Sequence, residues 1–350
     1  MEDSNQINKI RQKRRRTILL IYFCFLFLLF ICGAEIILRI KGFKPYKPVE
    51  LQVKIEPGGK LFRPDDELGY SHLPGKFLVT LSNGYSFTLT HLTNGCRATR
   101  ADNLVSRGKP SVWLMGCSFT HGWSLPDYQT YPWLLQEKLP DYDVLNFGVN
   151  GYGVVQSYFQ FKKFLRELPK PQVVVFNYAY FHDERNTFLR SWRKAIVPYN
   201  RLGPISPPYA RFNKEGKVVF YRNPAVYSEF PLQRYLALSH FIEQKYNQIE
   251  DRWVKSHAVS KAVIEIFANE CKTNGIEFVL AGITRGNITK DVLEFCRSKG
   301  IKTVDISVSL SDPKNRNLPY DDHPGFLAQK HYAEALFEFL KPELDKMRQD

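Results

Sequence analysis

SVWLMGCSFTHG, the sequence of residues 111–122, decides the fold. Its first half, 111–116, is a short continuous apolar run that ends in glycine, as in a strand buried on both faces. Its second half places Ser118 directly after that strand and before a helix-like stretch. Ser118 or Thr120 there could simply cap the helix. The carboxyl end of a parallel strand is also where open α/β sheets carry their binding sites.

The strand-then-helix pattern recurs along the chain. Four more apolar runs follow: DVLNFG (143–148), QVVVFNYA (172–179), IEFVLAGI (276–283) and KTVDISV (302–308). Helix candidates separate or follow them, namely 130–139, 154–168, 290–299 and 325–340, the last ended by Pro342. This alternation predicts an α/β domain over 110–345, with a parallel sheet of about five strands covered on both faces. The stretch 184–254, rich in Arg, Tyr, Phe and Pro, interrupts the pattern and is predicted to be an insertion.

The N-terminal region predicts a membrane anchor. Residues 17–33 read TILLIYFCFLFLLFICG without a charge, and apolar residues continue to Leu38. The predicted helix, 17–38, is long enough to cross a hydrocarbon core of roughly 30 Å. A cleaved signal peptide would have a shorter apolar region, about 7–15 residues, followed by a small-residue cleavage site. We therefore expect an uncleaved anchor bound in the lipid bilayer.

The charges around the anchor predict its orientation. Residues 1–16 form a basic tail with six positive charges against two negative ones. The cations after the anchor are fewer and more spread out. By the positive-inside rule, the tail lies in the cytoplasm and everything after about residue 40 lies outside it. For a bacterial protein this means the inner membrane, crossed once.

Two shorter regions connect the anchor to the α/β domain. Residues 39–60 contain prolines and a glycine pair and are predicted to be a linker. Residues 61–109 hold alternating runs such as KFLVTL and YSFTLTHL between turn signals, which predicts a small β region.

Composition excludes several other classes of protein. The chain has 350 residues, a formal net charge of +14 and six cysteines, too few for a disulfide-dense scaffold. No basic stripe is interleaved with aromatic residues, so no nucleic-acid partner is predicted. The histidines show no metal-ligand spacing, so neither a metal nor a cofactor is predicted. The oligomeric state is not predicted.

Three polar segments follow the second, third and fifth apolar runs. They are NFGVNGYG (146–153), YFHDERN (180–186) and YDDHPG (320–325). Taken singly, each is compatible with an ordinary turn or a polar surface segment.

In order and spacing these segments resemble the SGNH (GDSL) hydrolase superfamily, and in particular its membrane-anchored bacterial members. GCSFTHG is similar to the family's first block, which makes Ser118 the nucleophile. Asn146, Gly148 and Gly151 match the second block. The resemblance implies that the Gly151 amide, with that of Ser118, lines the oxyanion hole. It also implies the family's three-layer, flavodoxin-like fold.

The last block of the family pairs an acid with the catalytic base shortly before the final helix. In DDHPG the resemblance makes His323 the base and Asp321 the acid that orients it. Asp322 is the alternative acid.

The chain departs from the family pattern at two positions. Cys117 stands where the family has an aspartate beside the nucleophile, and a thiol at that place is an alternative nucleophile. His182 stands where the family has an asparagine before the aspartate, here Asp183. A neutral histidine can also donate a hydrogen bond, so His182 is the expected third oxyanion donor.

The resemblance implies a serine esterase or deacylase. The expected substrate is an acylated cell-envelope or exported glycan, attacked through an acyl-enzyme. Two alternatives stay open at this point. One is an O-acyltransferase that modifies an envelope glycan or exopolysaccharide, since the same triad serves both reactions. The other is a glycan-binding module whose catalytic function has decayed, which the changes at Cys117 and His182 would fit.

Overall fold

The computed structural model describes residues 2–48 and 53–348. Within them the strands are β1 (Lys54–Glu56), β2 (Phe62–Asp65), β3 (Gly69–His72), β4 (Gly75–Thr80), β5 (Ser86–His91), β6 (Ser111–Met115), β7 (Asp143–Asn146), β8 (Val173–Tyr178), β9 (Pro208–Phe212), β10 (Val218–Arg222), β11 (Glu277–Thr284) and β12 (Lys302–Val308). The α-helices are α1 (Glu2–Ile40), α2 (Ser118–His121), α3 (Tyr131–Lys138), α4 (Val154–Phe164), α5 (His182–Asn186), α6 (Arg190–Ile196), α7 (Ala237–Val254), α8 (Ser256–Thr273), α9 (Asn287–Ser298) and α10 (Phe326–Lys346). Short 3₁₀ helices cover Asp127–Gln129, Val197–Leu202 and Pro313–Asn315.

The predicted parallel sheet is confirmed. Its five strands lie in the order β12-β11-β8-β6-β7. Read from the other edge this is 2-1-3-4-5 in chain order, the flavodoxin-like arrangement. The strand order reverses between β6 and β8, where Val112 pairs with Val173. A crevice for ligands is expected at that point, beyond the carboxyl end of β6.

Apolar side chains cover both faces of this sheet, which is why its strands are continuously hydrophobic. Along β6, Trp113 and Met115 belong to one buried cluster, with residues of α4, α8 and α9. Val112 and Leu114 belong to the other cluster, with residues of α3 and α10. Side chains alternate between the two faces of a strand, so one short run supplies both layers. The result is the predicted three-layer α/β architecture.

The small β region is also confirmed, with one extension. β1, β4 and β5 form an antiparallel sheet, and β2 and β3 form a hairpin. β1 lies inside the predicted linker over 39–60, and its Ile55 pairs with Val79 of β4. Residues 49–52 of that linker lie outside the described residues.

The chain divides into two compact units, Met1–Glu50 with Ser228–Ile249, and Leu51–Tyr227 with Glu250–Asp350. In the first unit, α1 continues from the basic tail through the apolar stretch as one helix. Its segment Gln6–Ile40 is long and apolar enough to cross a membrane. The side chains of the apolar stretch, such as Phe27 and Phe30, are mostly exposed.

The end of α1 folds against the segment around residues 233–241 of the same unit. Glu35 accepts hydrogen bonds from the backbone N–H groups of Ala237 (3.0 Å) and Leu238 (2.8 Å), at the beginning of α7. Arg39 donates to the carbonyl oxygen of Tyr235 at 2.9 Å. Phe43 packs edge-to-face on Phe241, with ring centroids 5.1 Å apart.

The prediction that Pro342 ends the last helix is wrong. α10 continues to Lys346 with Pro342 inside it. Proline loses the bond to the carbonyl four residues earlier and tends to kink a helix. Here Leu340 and Leu344, on either side of it, are completely buried in the core. Their burial offsets the lost hydrogen bond and keeps the last turn helical.

Candidate active site

The nucleophile candidate lies in a tight turn between β6 and α2. Gly116 has φ +156°, and a Cβ there would lie 2.4 Å from Thr120 Oγ1, so only glycine fits. Ser118 is the first residue of α2 and keeps 7% of its surface exposed. The turn therefore presents the Ser118 hydroxyl at the switch point of the sheet.

Ser118, His323 and Asp321 are joined by a chain of hydrogen bonds. The distance from His323 Nε2 to Ser118 Oγ is 3.0 Å, and from His323 Nδ1 to Asp321 Oδ1 is 2.6 Å. A carboxylate can only accept, so Nδ1 carries the proton and Nε2 is free to accept the serine hydroxyl. This is the arrangement of a general base with its orienting acid.

Of the two candidate acids, Asp321 is the one in contact with the base. It also accepts the backbone N–H of His323 at 2.8 Å. Burial favours the neutral carboxyl, but the hydrogen bonds and charge of His323 outweigh it and lower the pKa of Asp321. Asp322 instead pairs with Arg316 at 2.8 Å, and its side chain is 81% exposed.

The loop that carries the base is held by Asn317, a residue that the sequence reasoning missed. Asn317 Nδ2 donates to the carbonyl oxygen of Ser124 at 2.9 Å. Its backbone N–H donates to the carbonyl oxygen of His323, and its own carbonyl accepts from the N–H of Asp321. Asn317 thus ties the acid and base to the segment that follows α2.

One of the three expected oxyanion donors, the Gly151 amide, lies in the loop between β7 and α4. Gly151 has φ +87°, and a Cβ there would lie 2.5 Å from the hydroxyl oxygen of Tyr70 and 3.1 Å from the ring of Trp192. Within the described residues, the Gly151 N–H donates to no backbone or side-chain acceptor. Gly148 packs so closely on α2 that a Cβ would lie 2.3 Å from the backbone nitrogen of His121. The loop is therefore packed against α2, the helix that begins at Ser118.

His182 is completely buried, in ring contact with Phe176, Tyr178 and Phe181. Its Nδ1 accepts the backbone N–H of Ala179 at 3.3 Å. Burial lowers the pKa of His182 well below its usual value, so the ring is neutral and its proton sits on Nε2. That Nε2 has no partner among the described residues. His182 thus keeps one unused donor, as its expected role requires, but no contact with Ser118 is seen.

Two other candidates lie outside the triad. The side chain of Cys117 is fully buried in the apolar cluster that includes Ala179 and Tyr332, which does not suit a nucleophile. Asp183 accepts from the hydroxyl of Tyr178 at 2.9 Å and pairs with His257 at 2.8 Å. The hydrogen bond that His257 donates to Asp183 is the largest cause that raises the pKa of His257.

Three buried histidines meet beside the site, although their spacing in the sequence suggested no cluster. His91 Nε2 and His121 Nε2 are 3.0 Å apart, and the rings of His72 and His91 stack at 3.9 Å and 15°. Burial, the largest cause, lowers the pKa of all three, that of His72 to about 3. The nearby charge of Arg97 lowers these pKa values further.

These histidines are the side chains best placed to hold a metal, because their ring nitrogens lie within 4.8 Å of one another. Nearly parallel, stacked rings direct their nitrogens side by side rather than at one point, however. The buried Arg97 guanidinium would also repel a cation. The geometry fits a neutral, hydrogen-bonded cluster, and a metal would require the rings to turn.

Comparison with solved structures finds similarity to GDSL-type hydrolases. A lipolytic protein of the G-D-S-L family from Desulfitobacterium hafniense is 14% identical, with 65% of this chain and 98% of that chain covered and a TM-score of 0.35. The esterase EstA from Pseudoalteromonas sp. is 10% identical, with 68% and 100% covered and a TM-score of 0.38. An acetylxylan esterase from Geobacillus stearothermophilus is 12% identical, with 67% and 95% covered and a TM-score of 0.37.

No family model matches the chain, and no curated protein matches it. The chemistry of the chain therefore has to be read from its own side chains.

Proposed function

We propose that this chain is a membrane-anchored serine esterase of the SGNH type, acting on an acylated cell-envelope or exported glycan. The observation that carries the proposal is the hydrogen-bonded series Ser118–His323–Asp321, with distances of 3.0 and 2.6 Å. A partly buried carboxylate, an imidazole and a serine hydroxyl in this order form a nucleophile with its base.

In the first step His323 Nε2 takes the proton of Ser118 Oγ while that oxygen attacks the ester carbonyl carbon. The tetrahedral intermediate collapses, and the departing alkoxide takes the proton back from the imidazolium. An acyl group is then bonded to Ser118 Oγ. Water, deprotonated by the same imidazole, attacks the acyl carbon. The bond between that carbon and Ser118 Oγ then breaks, Oγ takes the proton from the imidazolium, and the acid is released. Throughout, Asp321 holds the proton on Nδ1 and stabilises the imidazolium.

Negative charge develops on the carbonyl oxygen during each attack, and hydrogen-bond donors have to stabilise it. The amide N–H groups of Ser118 and Gly151 are proposed to supply them, with the Nε2–H of His182 as the third donor. Removing one such donor typically slows an acyl transfer by about 10²–10³-fold.

Labelling with a fluorophosphonate probe tests the nucleophile. The full-length protein in detergent should become labelled, and Ser118→Ala should not. Cys117→Ala is the matched control, since it removes the neighbouring side chain and should keep labelling. Equal labelling of the wild type and Ser118→Ala would refute the assignment. An unlabelled wild type would favour a binding module without catalytic function.

The same triad could pass the acyl group to a sugar hydroxyl instead of water. A chromogenic acetyl ester turned over with and without an added oligosaccharide separates the two reactions. The esterase proposal predicts the same rate in both mixtures and free acetate as the product. A faster rate with an acylated oligosaccharide as product would show an acyltransferase.

The anchor is proposed to stay on the mature protein. The contacts of Glu35 with Ala237 and Leu238, and of Arg39 with Tyr235, support this, because cleavage after the apolar stretch would cut into or next to the segment that makes them. The N-terminus is proposed to face the cytoplasm.

The mass of the purified membrane protein tests the anchor, and should correspond to an uncleaved chain. Protease added to spheroplasts tests the orientation, and should digest a C-terminal tag without breaking the inner membrane. A shortened chain, or a tag protected until lysis, would contradict the respective part.

A further inference from the structure

Arg185, in α5, packs with its guanidinium over two aromatic rings. Its guanidinium carbon lies 4.4 Å from the ring centre of Phe181 and 4.8 Å from that of Trp192. Cation–π contact with two rings restricts the position of the guanidinium, while its N–H groups stay available for hydrogen bonds. An arginine restricted in this way loses little freedom when an anion binds to those N–H groups.

The guanidinium has few partners in the protein. Nη1 donates to the carbonyl oxygen of Tyr152 at 3.0 Å. Within the described residues Arg185 forms no ion pair with a carboxylate, and its Nε is buried without an acceptor. The indole Nε1 of Trp192 is likewise buried without an acceptor. Arginines removed from water usually pair with an acid. The buried Arg97 of this fold does so, since it lies 2.9 Å from Asp127, whereas Arg185 does not in the part of the chain that the structure describes.

Arg185 lies next to the candidate active site along two lines of contact. On one side, Trp192 approaches Gly151, where a Cβ would lie 3.1 Å from its ring. On the other side, Phe181 packs edge-to-face on Phe119 at 5.3 Å. Phe119 follows the nucleophile and lies 5.7 Å from the ring of His323. One ring, that of Trp192, thus separates Arg185 from the loop of Gly151. Two rings, those of Phe181 and Phe119, separate Arg185 from His323.

We infer that Arg185 is a specificity-determining residue that binds a carboxylate carried by the ester substrate. A carboxylate accepts two parallel N–H bonds from a guanidinium. In Arg185 these would come from Nη2, which has no partner among the described residues, and from the second N–H of Nη1, since Nε is buried. This inference rests on the proposed esterase function and adds the charge of its substrate. The carboxylate could belong to the acyl group or to the sugar, and the experiment separates these sources.

The kinetic test uses two matched pairs of esters. In the first pair, the 4-nitrophenyl ester of glutaric acid monoanion is compared with its neutral methyl ester. In the second pair, O-acetylated glucuronic acid is compared with O-acetylated glucose. The wild type should prefer the anionic member of at least one pair, as the ratio of kcat/KM values. The pair that shows the preference tells whether the carboxylate is on the acyl side or on the sugar side.

Arg185→Gln should lower that ratio about 10- to 100-fold, mostly through KM, because a hydrogen-bonded charge is lost. Arg185→Lys keeps the charge without the planar edge and should fall in between. Arg166, exposed and paired with Glu67 at 2.7 Å, provides the control, and Arg166→Gln should leave the ratio unchanged. If Arg185 only holds Tyr152, its loss lowers kcat/KM for both esters of a pair by the same factor. The ratio of the two kcat/KM values then stays constant, which would overturn the inference. No preference in the wild type would overturn it too.

A binding measurement keeps the test independent of catalysis. Calorimetry on Ser118→Ala, with glutarate and glucuronate as probes, should show binding of at least one of them. In the double variant, which also carries Arg185→Gln, the Kd for that probe should rise at least tenfold. Binding by Ser118→Ala without any esterase activity in the wild type would refute the proposed function and leave the anion site standing. Esterase activity of the wild type without binding of either probe would refute the anion site and leave the proposed esterase function standing.

Discussion

Exchanging Asp321 for asparagine should nearly abolish turnover of a small ester while leaving the nucleophile in place. Asp321 Oδ1 lies 2.6 Å from His323 Nδ1, so the two charges of the reacting state are centred about 4 Å apart. At an effective dielectric constant of about 20 their attraction is about 4 kcal/mol. Because 1.36 kcal/mol is tenfold in rate, losing it costs about 10³-fold.

The hydrogen-bond direction adds to this loss. An asparagine amide turned toward Nδ1 donates to it, which moves the imidazole proton to Nε2 and blocks acceptance of the Ser118 hydroxyl. The equivalent change in a serine protease lowers kcat by about 10⁴. We therefore expect Asp321→Asn to lower kcat by about 10³–10⁴-fold.

Hydrolysis of 4-nitrophenyl acetate by the full-length protein, followed at 405 nm, measures this effect. Asp322→Asn is the matched control, one residue away and 81% exposed, and should stay within about threefold of the wild type. The assignment of the acid is refuted if Asp321→Asn keeps more than a tenth of the activity, or if Asp322→Asn loses more than Asp321→Asn does.

Two further predictions concern the oxyanion loop and a charge cluster. Gly151→Ala should lower kcat at least 10²-fold. Gly108→Ala is the control, because Gly108 also has a positive φ, +77°, but lies in open space. This variant carries a comparable backbone cost and should leave kcat unchanged. Equal kcat values for Gly151→Ala and Gly108→Ala would contradict the role of the Gly151 loop. The hydrogen bond to Asp183, and after it the one to Asp291, raise the pKa of His257 although burial lowers it. The protonated His257 therefore stabilises the fold fully below about pH 6.5, its usual pKa. This stabilisation is lost as the pH rises through the higher pKa of the folded state. Melting curves from pH 5.5 to 9 should show the wild type losing this advantage over His257→Gln; parallel curves would exclude the effect.

The strands and the position of Ser118 after β6 could be predicted because local sequence determines them. A buried parallel strand has to be apolar at every position, so β6 and β8 are visible as continuous runs. The turn after β6 needs glycine at residue 116, which marks the place of Ser118. The flavodoxin-like fold was expected only through the family resemblance.

Features that depend on distant packing could not be predicted. The burial of Leu344 keeps α10 helical past Pro342, and no local signal reports that burial. His72, His91 and His121 come from three separate segments, so their meeting has no sequence spacing. The family resemblance favours Asp321 over Asp322, but only the fold shows that Asp321 contacts His323 while Asp322 pairs with Arg316.

The position of His323 in the fold explains the hydrogen bonds that Asn317 forms. The proposed nucleophile Ser118 follows β6, three strands away from β12, whereas His323 follows β12, at the edge of the sheet. The chain after β12 therefore has to return across the carboxyl ends of the strands before α10 begins. Hydrogen bonds from Asn317 to Ser124, and between Asn317 and the backbone of Asp321 and His323, fix the end of that return. Since a general base works only within hydrogen-bonding reach of its proton, the contact at 3.0 Å depends on this anchoring as much as on the triad itself.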